Sequence, residues 1–163
     1  MIKKKIQSFI IAMMVTAIAS APVAAASITG TLGVITQVFS ACAVTGSTVA
    51  FGVYGSSQLD QTGSITVLCT FGTSYNVGLD SGTGSGATTA VRKMTGLAGS
   101  TLNYALYRDA SRTSLWGSSI GTDTQSGFAL GLPQNLTVYG RIPASQTARA
   151  DTYSDTVTVT LTY

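Results

Sequence analysis

The chain has 163 residues, of which 45% are hydrophobic and only 9% charged, with 18 glycines, two cysteines and no histidine. That charged fraction lies far below the roughly 25% of ordinary soluble domains and excludes a disordered chain, which would be charged and poor in apolar residues. Nine Lys and Arg face six Asp with no Glu, but Lys3, Lys4 and Lys5 supply three of the nine, so the remainder is neutral and no basic nucleic-acid-binding surface is expected.

The chain opens as an export signal. A positive start at Lys3–Lys5 is followed by an apolar run from Phe9 to Ile18 and then by small residues ending in Ala24-Ala25-Ala26. Those three parts, in that order, predict a secretory signal peptide over 1–26, with cleavage by the A-x-A rule before Ser27. The apolar run is about half the ~20 residues that a membrane span needs. The exported protein is expected to be located outside the cytoplasm.

Residues 27–39 (SITGTLGVITQVF) carry no charge, and Ile28, Gly30, Leu32, Val34, Thr36 and Val38 share one parity. A flexible tail would be polar; this segment reads as a strand. From about residue 40 onward the rest of the chain reads as one domain.

Cys42 and Cys69 follow. An even pair in an exported protein reads as a disulfide. In the chain-entropy model, closing a loop of this size is worth roughly 3–4 kcal/mol. With no histidine, neither a metal site nor an activated thiol has its usual partners.

Beyond Cys42 the pattern alternates with period two. Ile65, Val67 and Cys69 share a parity, as do Tyr75, Val77 and Leu79; Leu102, Tyr104 and Leu106; Leu136, Val138 and Ile142; and Val157, Val159, Leu161 and Tyr163. This is the signature of half-buried strands, and Thr, Val and Tyr are strand formers. Glycine-rich turns separate them, so an antiparallel β-sandwich is predicted. The final strand, 156–163, is uncharged and apolar on one face, and an open edge of that kind needs a covering strand. A single arrangement answers both ends: the N-terminal strand of one chain covers the last strand of another.

Chemistry-bearing motifs are weak. Gly82-Thr83-Gly84-Ser85-Gly86-Ala87 follows a strand but precedes no helix, so a dinucleotide loop is rejected. Asp151 and Asp155 read as turn residues rather than a cation site. The dispersed Arg92, Lys93, Arg108, Arg112, Arg141 and Arg149 read as solvated rim charges. Trp116 reads as a core anchor rather than a sugar platform, and Asn135-Leu136-Thr137 is a short sequon of the kind that occurs by chance. No catalytic residue, cofactor, metal or small-molecule substrate is expected, and the chain is not expected to be an enzyme.

Several strings occur in a specific order: Phe51-Gly52-x-Tyr54; Cys69-Thr70-x-Gly72-Thr73-x-Tyr75; Arg92-x-Met94; Leu102-x-Tyr104-x-Leu106-Tyr107; Trp116-Gly117; Val138-Tyr139-Gly140-Arg141-Ile142-Pro143; and Tyr153-x-Asp155-Thr156-Val157 through Tyr163. Together they resemble the spore coat protein U domain family, which includes subunits of Csu-type pili built by the archaic chaperone–usher route.

The resemblance implies an incomplete immunoglobulin-like sandwich lacking its last strand. A periplasmic chaperone would first supply that strand. The N-terminal segment of another subunit would then replace it as an outer-membrane usher assembles a homo-polymer, or a fibre of related subunits, serving adhesion and biofilm formation. On this sequence 27–39 would be the donor, and Val157, Val159, Leu161 and Tyr163 would form one lip of the acceptor groove. Burying Ile28, Leu32, Val34 and Val38 would yield on the order of 6–12 kcal/mol gross. A monomeric coat protein and a surface-binding adhesin are the alternative expectations.

Overall fold

The computed structural model describes residues 23–163. Most of the expected signal peptide, 1–22, lies outside the described residues. The chain divides into two units, Met1–Thr36 and Gln37–Tyr163. In the first, described from residue 23, no helix or strand forms, and Ile28, Leu32, Val34 and Ile35 are all at least 85% exposed.

The second unit is an all-antiparallel β structure with no helix among its residues. In chain order its strands are β1 (Cys42–Gly46), β2 (Leu59–Cys69), β3 (Ser74–Leu79), β4 (Arg92–Gly96), β5 (Thr101–Tyr107), β6 (Gln125–Phe128), β7 (Gln134–Ile142), β8 (Tyr153–Ser154) and β9 (Val159–Thr162). One sheet has the order β1-β2-β7-β5-β4-β8 and the other β6-β3-β9. The two face each other as an incomplete immunoglobulin-like sandwich.

The alternation seen in the sequence sets which residues meet between the sheets. Ile65, Val67 and Cys69 of β2, Tyr75, Val77 and Leu79 of β3, Leu102, Tyr104 and Leu106 of β5, and Val138 and Ile142 of β7 form the buried core. Strands of period two put every second side chain on the same face, so these sets turn inward together. Trp116 joins them at 1% exposure, its indole N–H donating to the Val77 carbonyl at 2.9 Å. It is the core anchor its sequence context suggested.

Cys42 and Cys69 are bonded. They stand directly opposite each other in the β1–β2 ladder, so the bridge fixes the register of that pair at its end.

Two features differ from expectation. The final strand, expected over 156–163, spans only Val159–Thr162, and a separate short strand precedes it. β8 pairs with β4 at the edge of the larger sheet, residues 155–158 cross between the sheets, and β9 pairs with β3 in the smaller one. Hydrogen bonds account for the break: the Thr156 N–H donates to the Asp155 carboxylate, and the Thr158 N–H donates to the Asp80 carboxylate.

Arg92 also corrects the reading of the basic residues as solvated rim charges, since it is fully buried. It sits on the inward parity of β4 with Met94, and its guanidinium donates to the carbonyls of Asp80, Thr89, Leu79 and Trp116 at 2.7–3.2 Å. Burial pulls its proton affinity down, while Tyr104 and the acidic Asp80, Asp155 and Asp123 push it back up. Such a charge is tolerated inside because donors and acceptors are matched.

Candidate functional site: an apolar groove beside the last strand

A sandwich closes when the edge strands of its two sheets are covered. Here β1 is an edge of the larger sheet and β9 an edge of the smaller one. A cleft of about 1110 Å³ opens between residues 46–54, which follow β1, and residues 148–159, which lead into β9. Its floor is the inner face of the sandwich itself, including Ile65, Leu79, Leu102, Tyr104, Leu106, Val138 and Ile142.

One wall is residues 46–54, which leave the end of β1 and run over the larger sheet. They come this close because two positions beneath them have no side chain. A Cβ on Gly63 would lie 2.7 Å from Val49 Cγ2, and one on Gly140 would lie 2.7 Å from Phe51 Cζ. Any larger residue there would force this wall to shift. Phe51 packs edge-on against Tyr104 with ring centroids 6.2 Å apart. Tyr54 pins the far end of the wall: its hydroxyl donates to the Pro143 carbonyl and accepts from the Gln146 N–H, both at 2.9 Å.

The other wall is residues 148–157 together with Val159. Asp155 anchors it. One carboxylate oxygen accepts from the Tyr104 hydroxyl at 2.7 Å, and the other accepts from the Thr83 N–H and hydroxyl at 2.8 Å. Burial and the hydrogen bond to Asp155 both raise the Tyr104 pKa. Asp80 anchors the start of β9 by accepting from the Thr158 N–H at 2.9 Å and the Gly82 N–H at 2.9 Å. Burial raises its pKa, but the hydrogen bonds from Thr158 and Gly82 and the Arg92 charge outweigh this, so it lies below the ordinary value of 3.8.

The predicted acceptor residues do not all share one setting. Val157, Val159 and Leu161 are half-buried against the core, and the threonines between them, Thr158, Thr160 and Thr162, are exposed. Val157 and Val159 line the cleft. Tyr163 is 60% exposed. The predicted donor residues Ile28, Gly30, Leu32, Val34, Thr36 and Val38 are all exposed.

The wall at 46–54 was missed by sequence reasoning. Its sign was the alternation of Val49 and Phe51 just after Cys42, masked by the glycines and serines around it.

The remaining candidates are structural. Asp151 accepts from the N–H groups of Ala98 and Thr152, so like Asp155 it organises a turn. Asn135 is exposed on β7 and accepts from the Thr66 hydroxyl at 2.7 Å. A cleft floored with aliphatic and aromatic side chains has the lining that an added apolar strand needs.

Comparison with known proteins agrees with this architecture. The Spore Coat Protein U domain family model matches residues 28–160. A curated relative, "Protein U" of Myxococcus xanthus, is 33% identical, with 90% of each chain covered. Among solved structures, a chain from the CsuC–CsuE chaperone–tip adhesion subunit pre-assembly complex of the archaic chaperone–usher Csu pili of Acinetobacter baumannii matches with a TM-score of 0.58 at 26% identity. That match covers 77% of this chain and 40% of the solved one.

Proposed function

This chain belongs to the Spore Coat Protein U domain family, and on that footing we propose that it is a structural subunit of a surface fibre of the chaperone–usher kind, joined to its neighbours by strand donation. The observation that carries the reading is the groove beside residues 148–157 and the start of β9, whose floor is the protein's own core.

Residues 27–39 are the donor. They are uncharged, they carry apolar side chains on one parity, and they form no strand of their own. Laid beside β9, Ile28, Leu32, Val34 and Val38 would enter the groove of a second copy while the main chain extends the smaller sheet. The contact is head-to-tail, so it propagates into an open filament rather than a closed ring. Before assembly a periplasmic chaperone covers the groove, and an outer-membrane usher exchanges that cover for the donor. Residues 1–26 direct export, and the filament serves attachment and biofilm formation at the cell surface. The solved pre-assembly complex, a chaperone with a subunit, supports the chaperone step.

A coat assembly is the second reading, favoured by the family's own description. It uses the same joint and differs in where the polymer ends up.

The test is Leu32→Asp. A charge at this position would enter an apolar groove without a partner, a cost of several kcal/mol. The variant is expected to fold with its chaperone to the same yield as the parent yet to be nearly absent from fibres. Incorporation equal to the parent would mean that residues 27–39 do not form the joint.

A further inference from the structure

The end of the sandwich where β1 begins is apolar where turns are ordinarily polar. The turn between β2 and β3 carries Phe71, 72% exposed; the loop between β6 and β7 carries Leu130, 57% exposed, and Leu132, 68% exposed. The two loops are tied by backbone bonds, Gly72 N–H to the Ala129 carbonyl at 3.0 Å and Ala129 N–H to the Thr73 carbonyl at 2.9 Å. Phe71 meets Phe128 edge-on with centroids 6.4 Å apart. Phe39, 78% exposed, leaves the sandwich beside them, its carbonyl accepting from the Thr70 hydroxyl at 3.4 Å. A contiguous apolar patch on a rigid scaffold marks a contact surface.

We propose that this apolar end is a second contact between successive copies of the chain, seated on the groove mouth of the subunit that receives residues 27–39. The proposal rests on the groove reading above. Every strand pair in the domain is antiparallel. A strand added beside β9 in the same pattern runs opposite to it, which places Val38 next to the Val157 end.

That end lies away from the 70–73 turn, because β9 enters its ladder at Val159 opposite Leu79 and reaches Asn76 only at Thr162. From Val38 in the neighbour's groove to Cys42 in its own β1, the chain spans at most roughly 13 Å when extended. The apolar end of one copy is therefore held against the groove mouth of the next. There the receiving copy offers Val53, which lines the groove, and Leu97, on the turn beside Asp151; both are 92% exposed. The short tether keeps the two surfaces at high effective concentration, so even a modest apolar contact forms.

The experiment is thiol labelling of variants that each add one free cysteine to the intact Cys42–Cys69 disulfide, Leu132→Cys and Phe71→Cys, with Thr137→Cys on the outer face of β7 as control. Each is labelled with a maleimide in two states. One is the assembled fibre, and the other is a monomer in which residues 27–39 are moved behind Tyr163 on a flexible linker. All three positions are expected to react quickly in the monomer. In the fibre, Leu132→Cys and Phe71→Cys are expected to react about tenfold more slowly or less, as positions closed to solvent do, with Thr137→Cys unchanged. Fibres that form with both end positions still reactive overturn this contact and leave the groove reading standing. Failure of the parent chain to form fibres overturns both.

Discussion

At the scale of single residues, Arg92 is the least legible from sequence and among the most consequential in structure. In the sequence it is one basic residue among several. Only the β4 register, which pairs it with Tyr104 and turns it inward, reveals a buried cation holding four carbonyls. Those carbonyls belong to the end of β3, the 80–89 loop and the Trp116 turn, so the side chain ties a strand end, a loop and a turn together. Arg92→Ala is expected to destabilise the domain by about 3 kcal/mol or more, since several buried acceptors lose their donors. Urea unfolding of a self-completed monomer measures it.

Asp80 is the acid-sensitive counterpart. Its pKa is held below 3.8 in the folded protein. A carboxylate with a depressed folded pKa contributes stability above its unfolded value and loses it as pH falls through the folded value. The native domain is therefore expected to weaken below about pH 4, in part through release of the Thr158 N–H and loosening of β9. Asp80→Asn is expected to be less stable than the parent at pH 7 and to show a shallower decline toward pH 3. Asp60 and Asp109 are also held below their ordinary values, so the variant flattens the profile without abolishing its slope. Thermal midpoints between pH 7 and pH 3 check this.

At the scale of elements, the alternation of apolar and polar residues made most strands legible, because period two leaves little choice about which face is buried. β2, β3, β5 and β7 bury the residues that their parity assigns. What alternation does not encode is which sheet a strand joins. The stretch 153–162 keeps one parity throughout, yet it belongs to two sheets, because Asp155 and Asp80 divert the backbone between them. The 46–54 wall was hidden for a related reason: its position depends on Gly63 and Gly140, more than ten residues away in sequence.

For β9 the parity gives a sharp prediction. Leu161→Asp would place a charge against the core and is expected to prevent stable folding, while Thr160→Asp, on the exposed face, is expected to change stability by only about 0.5 kcal/mol. Soluble yield and unfolding midpoint of each variant separate the two. Equal tolerance would mean that the faces are reversed.

At the scale of the whole molecule, the lack of acid–base residues, the low charge and the uncharged N-terminal segment pointed from the sequence alone to an assembly joint. The groove's shape could not be read there, since it is built from residues scattered over the chain. The account stands or falls on whether residues 27–39 complete another copy's sandwich. Sedimentation of two purified chains at high concentration addresses this most directly: the proposed exported form, 27–163, and the same chain with residues 27–39 relocated behind Tyr163 on a flexible linker. The relocated strand acts at about millimolar effective concentration, so it is expected to fill its own groove. That chain should sediment as a heat-resistant monomer while the exported form sediments as polymers. A stable monomer for the exported form, with its N-terminal strand already paired in its own sheet, would contradict the account.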